Sequence, residues 1–250
     1  MNITGNTIFV PGGTRGIGLA LALRLQAKGN TVILGGRSAQ ALEAVAAEHG
    51  FETVRIDTTD PASIAAASAE VIERFPDVNV LIAMAGIMRA EDWRNPGFLA
   101  DAEATVVTNV LGPIRLIAAF TEHLQSRPAA TIVTVSSGLA HAPLKVTPTY
   151  NASKAAVHML SESVRLQLAD TSVSVVELVP PSVQTELMPG QQDNPHALPL
   201  DEYIDETMSL LESQPDAHEI QVERVKFLRY GEVRGDYDQV VAALNQTDPH

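Results

Sequence analysis

The segment NTIFVPGGTRGIGL, residues 6–19, decides the architecture of this chain. A short apolar run, Thr7–Val10, enters a glycine turn, and the turn opens into IGLALALRLQAKG, residues 17–29, where leucine and alanine recur at helical spacing. Gly12, Gly16 and Gly18 stand in the pattern G-x-x-x-G-x-G between that strand and that helix. Glycine allows the backbone to take positive φ and lets a ligand approach without meeting a Cβ. The free N–H groups at the start of the helix then face an anion. In this position the cluster points to a dinucleotide whose phosphates rest on Gly12, Thr14, Arg15, Gly16, Ile17 and Gly18.

The same rhythm continues outward. Strand-like runs recur at Thr31–Leu34, Thr53–Ile56, Val78–Ala83, Thr131–Val135 and Ser174–Val179, with helical stretches between them. Asp60 followed by Pro61 is a helix start, a cap and then proline at the first helical position. Gly29 and Gly50 stand where helices should stop. The strands are apolar without strict alternation, as expected when helices cover both faces of a sheet. The expected fold class is α/β: a Rossmann-type doubly wound parallel sheet in three layers, α/β/α, forming a single domain over residues 1–250. Within it, residues 186–213 read as a substrate loop and helix, with a helix around Tyr203–Leu211 and a strand around Ile220–Val222. Residues 223–250 read as an atypical C-terminal tail.

Composition narrows the partners. The 250 residues are 45% hydrophobic and 19% charged, ordinary for a globular domain, with a formal charge of -13. That balance argues against nucleic acid and against an anionic membrane surface, since both need cationic protein. There is no cysteine, which excludes disulfides, thiolate zinc sites and a thiol nucleophile. No apolar run approaches the ~18 residues a bilayer span needs, and no metal site is evident. The expectation is a soluble cytoplasmic protein acting on a small molecule.

Two ends of a site can be read from the residues. The second strand closes on Arg37, where an NAD-specific protein more often carries an acidic residue for the ribose 2′-OH. Together with Arg15 it offers two guanidiniums to a 2′-phosphate, so NADP(H) is expected ahead of NAD(H); the alternative is an arginine that merely snorkels at a strand end. Asp57 is placed for the adenine edge or, alternatively, for capping its own turn. At the other end, the fifth strand closes on VSSG, and Tyr150 follows Ser137 with Lys154 four residues later. On a helix that spacing sets a phenol and an ammonium on one face, one turn apart.

Taken in order and spacing, the glycine turn, Asn109, Ser137, Tyr150 and Lys154 resemble the short-chain dehydrogenase/reductase family over residues 5 to 190 or so. The resemblance implies that Tyr150 is the general acid or base, that Lys154 holds the nicotinamide ribose and lowers the tyrosine pKa, that Ser137 holds the substrate oxygen, and that Asn109 supports a water leading to the lysine. It also places Thr58, Ala85, Gly86, Pro180, Val183 and Thr185 along the cofactor and implies a homodimer or homotetramer. The expected activity is interconversion of a carbonyl and an alcohol by hydride transfer with NADP(H). A non-catalytic NADP(H)-binding regulator on the same fold is the alternative, and an isomerase or dehydratase stands further off. Walls of the substrate pocket are sought among Met88, Trp93, His141, Leu144 and Met188, His141 being read chiefly as a solvated loop residue. The helix after Tyr150 carries an apolar stripe, Val157, Leu160, Val164 and Leu168, read as core, with dimer or tetramer packing through neighbouring helices as the alternative the resemblance adds.

Two departures from the family pattern stand out. Pro11 replaces the usual threonine before the glycine turn, and Ala83 and Met84 replace the usual asparagine pair after strand four. Loss of both polar partners together predicts a contact rebuilt from apolar atoms, with Met84 filling the space. The ending LDEYIDETMSLLESQPDAHEIQVERVKFLRYGE, read with ELVPPSVQTEL, resembles a bacterial subgroup labelled as oxidoreductases linked to D-alanine esterification of teichoic acids.

Overall fold

A computed structural model describes residues 2–246; the last four residues of the sequence-defined tail, 247–250, lie outside the described residues. Seven parallel strands form one sheet in the order β3-β2-β1-β4-β5-β6-β7. They are β1 Thr7–Pro11, β2 Thr31–Gly36, β3 Glu52–Arg55, β4 Val78–Ala83, β5 Ala130–Val135, β6 Val173–Leu178 and β7 Glu219–Ile220. The strand order reverses between β1 and β4, and in an open parallel sheet the crevice at that reversal is where a ligand binds.

Alternation along the strands explains the three layers. Ile8, Val10, Val32, Leu34, Val80, Ile82, Val133 and Val176 enter one core with Leu21, Ala22 and Leu25 of helix α1 (Gly16–Ala27) and Tyr203, Ile204 and Met208 of helix α7 (Leu200–Ser213). Their chain neighbours Phe9, Ile33, Leu81, Ile132 and Val175 enter the opposite core, against helices α3 (Pro61–Arg74) and α5 (Gly112–Gln125). Both faces are buried, so the strands read as continuous apolar runs. Asp60 caps α3, its carboxylate accepting the Ala62 N–H at 2.9 Å ahead of Pro61. Helix α2 (Ala39–His49) is capped by Ser38 and stops at Gly50.

The helix that carries the tyrosine and lysine is α6, Pro148–Gln167. Of its expected core stripe Val157 is fully buried, whereas Leu160, Val164 and Leu168 are only partly covered. Helix α4 (Leu99–Val106) runs through a π-type turn, Val107–Leu111, into α5. The continuous helical run Pro96–Gln125 is, by length and composition, apolar enough to cross a membrane. Here Leu116, Ile117, Phe120 and Leu124 use that apolar face to pack in the core. A count of consecutive apolar residues misses such a run because polar residues interrupt it.

The C-terminal region departs from its expected bounds. Helix α7 is longer than expected, and β7 is shorter and ends before Gln221. The tail forms three short helices, α8 Lys226–Arg229, α9 Gly231–Arg234 and α10 Tyr237–Leu244. They fold back on the segment between Ser137 and Tyr150, where Asn245 accepts the Lys145 N–H at 2.7 Å and donates to the Pro143 carbonyl at 3.0 Å.

Proline in a central strand normally removes a ladder bond. Thr7 N–H points toward β4, to Asn79, and Gly12 N–H toward β2, to the Gly35 carbonyl. By alternation position 11 faces β4, but β1–β4 pairing ends at Phe9↔Leu81. Lacking an N–H, Pro11 cannot extend that ladder, and the β1–β4 pairing closes just before the glycine turn. Met84 takes the apolar role expected of it, since a Cβ added to Gly18 would lie 2.7 Å from its sulfur and 2.7 Å from the Gly12 carbonyl oxygen. Helix propensity favours alanine over glycine by about 1 kcal/mol, whereas overpacking costs ~1–3 kcal/mol. Gly18→Ala is expected to show a net loss of about 1 kcal/mol in urea unfolding; a gain would mean that the turn yields freely.

Candidate active site

A cleft of ≈ 1350 Å³, its open mouth included, follows the carboxyl edge of the sheet from β2 past β1 and β4 to β6. At one end lies the glycine turn. Gly12 has φ +90°, and any Cβ there would meet Ala85 Cα at 2.8 Å, so turn and post-β4 segment touch backbone to backbone. Gly16 has φ +53° and faces Thr185 across a gap that a Cβ would narrow to 3.7 Å. Helix α1 begins after Arg15 with no side chain capping it. An uncapped helix start carries unsatisfied N–H groups and partial positive charge, which suits a phosphate.

Arg37, Arg15, Ile56, Thr58 and Thr59 line the same end of the cleft. Arg15 is exposed and stands 3.9 Å from Glu186 on the opposite lip. Asp57 does not line the cleft. Its carboxylate instead accepts the Thr59 N–H at 2.9 Å and the Thr59 hydroxyl at 2.7 Å. Burial works against its charge, but these two bonds and the nearby Arg37 hold its pKa below the usual carboxylate range. It caps its own turn, the alternative open at the sequence level, and Thr58 presents the cleft surface.

At the other end Ser137, Tyr150 and Lys154 converge, each only 6% exposed. Ser137 is extended at the end of β5, and its oxygen accepts the Leu139 N–H at 3.1 Å. Its hydroxyl faces the Tyr150 phenol and favours loss of the phenol's proton. Lys154 donates from Nζ to the Val135 carbonyl at 2.8 Å and lies 5.5 Å from the centre of the Tyr150 ring. The ammonium therefore meets the ring face, anchored to β5. Burial pushes the Tyr150 phenol up to about 12, the Ser137 hydroxyl opposing. Burial likewise lowers Lys154 to about 8, with Glu177 opposing. The expected lowering of the phenol by Lys154 works together with the charge of an oxidised nicotinamide; in the protein by itself desolvation dominates, and at neutral pH this is a protonated phenol.

Asn109 sits behind the cleft rather than on it. The π-type turn aims its amide at the post-β4 backbone, accepting the Ile87 N–H and donating to the Ile87 carbonyl, both at 2.9 Å, and donating to Ser153 at 3.1 Å. It braces Gly86–Ile87 beneath Lys154, while its neighbour Thr108 reaches the cleft. Ala85, Gly86, Pro180, Val183 and Thr185 line the cleft as expected. Sequence reasoning missed Gly36, Met84, Val135, Pro181, Leu187 and Gln191 as lining residues. For Gly36, Met84, Val135 and Pro181 the signal was position alone, at or just beyond a strand's carboxyl end, whereas Leu187 and Gln191 belong to the long segment after β6.

The suggested substrate walls, Met88, Trp93, His141, Leu144 and Met188, do not line this cleft. Trp93 is exposed and stacks on Phe98 at 4.5 Å. His141 is not solvated. It packs edge-on against His158 at 4.7 Å, and burial, then Arg229 and His158, push it down to about 4.

Short-chain dehydrogenases share a model that matches residues 6–196 of this sequence. The chain belongs to the short-chain dehydrogenase family. It is 38% identical to an uncharacterized oxidoreductase, DltE, of Bacillus subtilis over 98% of each protein. A short-chain dehydrogenase of Burkholderia cenocepacia, solved with NADP, is 28% identical and superimposes with TM-score 0.84 over 98% of this chain and 99% of that one. A Burkholderia phymatum member, solved with NAD, is 20% identical with TM-score 0.80 over 100% and 99%; at that identity it speaks for the fold alone. These residues fit such a nucleotide: a bare glycine turn, an uncapped helix start and a 28-residue lining that ends at Tyr150 and Lys154.

Removing the Asn109 amide leaves two partly buried backbone groups of Ile87 without their partners, at up to ~1–3 kcal/mol. Asn109→Ala is accordingly expected to lower the urea midpoint and to raise amide exchange at Ile87; unchanged exchange would refute the bracing role.

Proposed function

We propose that this protein is an NADP(H)-dependent oxidoreductase interconverting a small carbonyl compound and its alcohol, with Tyr150 as proton donor or acceptor. The observation that carries this reading is the buried convergence of Ser137, Tyr150 and Lys154 at one end of a cleft whose other end is a phosphate-binding turn. A bare nucleotide sensor needs no such trio.

A bound reduced nicotinamide supplies hydride to the carbonyl carbon. The chain supplies the rest. Ser137, its oxygen accepting from Leu139, can turn its own proton from the Tyr150 phenol to the substrate oxygen, a bond that strengthens as negative charge develops there. Tyr150 delivers its proton to that oxygen, giving the alcohol. The phenol's high affinity for its proton keeps it loaded throughout the neutral range. In the reverse direction the same phenol must first lose that proton, which the charge of Lys154 and of an oxidised nicotinamide would favour. Thr185 and Val183 lie where they can confine the reacting ring, and the segment after Thr185 is held in place. Gln191 donates to the Val183 carbonyl at 2.6 Å, and Gln184 N–H to Leu198 at 2.9 Å.

Arg37 and Arg15 at the ribose end support NADP(H) over NAD(H). A guanidinium bonded to a phosphate contributes about 1.5–3 kcal/mol, or roughly 10–150-fold in affinity. Arg37→Asp should weaken NADPH by at least about tenfold, read by nucleotide fluorescence, and leave NADH nearly unaffected; equal losses would refute the 2′-phosphate role.

Tyr150→Phe removes the transferable proton alone. Turnover of NADPH against a panel of aldehydes and ketones should fall by about 10²-fold or more, with NADPH binding retained. Undiminished turnover would exclude the proton-donor role. The pH profile follows from the lysine. Because Lys154 ionises at about 8 and acts as an ammonium, reduction should hold below that pH and decline as pH rises through it.

A further inference from the structure

Alternation along β6 brings Val173, Val175 and position 177 to the face covered by α6, and position 177 is a glutamate with 0% exposure. An isolated carboxylate at such a site is strongly disfavoured unless it is paired. Its partner is His158, whose Nδ1 lies 2.9 and 3.1 Å from the two carboxylate oxygens. His158 follows Lys154 by four residues on α6, so the two side chains are neighbours one helical turn apart on the face toward the sheet. The strands give the same placement. Lys154 binds the carbonyl of Val135, whose register partner on β6 is Leu178, the residue after Glu177. Buried carboxylate, imidazole and ammonium thus occupy one stretch of the α6–sheet seam.

We propose that Glu177 is a positioning residue for the reacting pair: clasped by His158, its buried carboxylate keeps the ammonium of Lys154 charged at the floor of the cleft. The inference deepens the reading of Tyr150 and Lys154 given above and rests on it for its functional meaning. The other charged or titratable groups around Glu177 are Glu219, its register partner on β7, Arg229 on α8, which binds both Glu219 oxygens at 2.9 Å, and His141 against the far side of His158. Arg165, further along α6, is occupied by Glu162 and by the Val175 and His218 carbonyls. The Glu219 charge is matched by Arg229, and His141 is held neutral by burial. Glu177 is therefore the carboxylate left to act on Lys154, and its field raises the affinity of Lys154 for its proton against the effect of burial.

The test needs neither cofactor nor substrate. Lys28, Lys145, Lys154 and Lys226 are the chain's only lysines, so protein labelled at lysine ¹³Cε gives four resonances, with Lys154 assigned from Lys154→Arg. The wild-type Lys154 signal should titrate near 8. Glu177→Gln should move that midpoint down by about one pH unit, with the other three signals unmoved as the check on folding. A second variant, Glu177→Gln with His158→Gln, replaces the ion pair by two amides and so does not leave the histidine without its carboxylate; the same downward move of Lys154 is expected. A folded variant whose Lys154 midpoint falls by less than about half a unit overturns the proposal. Should neither variant fold, the wild-type chain decides. Its Lys154 signal must then show a second inflection at the midpoint of the His158 ring, and a single smooth step overturns the proposal. Turnover in Tyr150→Phe judges the enzymatic reading separately.

Discussion

A buried ammonium must find an oxygen, and in this protein it finds the carbonyl of Val135 at the end of β5, 2.8 Å away. That bond ties helix α6 to the carboxyl edge of the sheet at the point where the chemistry is expected. Since Tyr150 lies one turn before Lys154, fixing the lysine fixes the height of the phenol over Ser137. Other contacts secure the start of the same helix. Thr147 does not cap it, and Glu91 serves instead, accepting from Thr149 N–H at 3.3 Å and from its hydroxyl at 2.9 Å. Tyr150 is thus held from both sides along the helix by polar contacts to other parts of the chain. Such restraint suits the proposed transfer of a proton along a defined line.

The cleft divides its electrostatics between two ends. The glycine turn offers backbone N–H groups and two arginines to an anion, while the far end buries a phenol and an amine almost completely. Burial has opposite consequences for these two groups, holding the proton on Tyr150 and loosening it on Lys154. Left alone, that tendency would discharge the amine. The carboxylate of Glu177 acts in the other direction, which gives a physical reason for a glutamate on an otherwise apolar strand face.

How much of this was legible from sequence depends on the range of the interaction. The glycine turn, the strand rhythm and the Asp60–Pro61 cap are local features, and their positions were read nearly to the residue. The trio Ser137, Tyr150 and Lys154 could be read because its spacing on one strand end and one helix face is itself local. Asn109 and Asp57 were placed in the right neighbourhood, but their side-chain directions follow from a π-type turn and an Asx-like turn that residue spacing does not reveal. His141 looked like a loop histidine because nothing adjacent in sequence announces His158 or Arg229, which reach it from α6 and α8. Glu177 carries the same lesson. One charged letter in VSVVEL is unremarkable until the helix covering that face is known.

The tail shows why the end of the chain resisted reading and why it matters to the site. Gly138, the residue after Ser137, has no room for a side chain, since a Cβ there would meet Leu228 at 2.8 Å and Val225 at 2.9 Å. The turn that presents the serine is therefore packed against residues about ninety positions later in the chain. Arg229 adds a charged anchor to β7, Tyr230 donates to Gln221 at 2.7 Å, and Asn245 pins both Pro143 and Lys145. Each contact joins the tail to the segment between Ser137 and Tyr150 or to the strand beside Glu177. The segment from 138 to 147 is also tied to Pro180, Glu91 and Asn151, and the tail adds packing over its outer side. The C-terminal helices complete a packed wall there, so their unusual sequence belongs to the architecture of the site and not to a dispensable end.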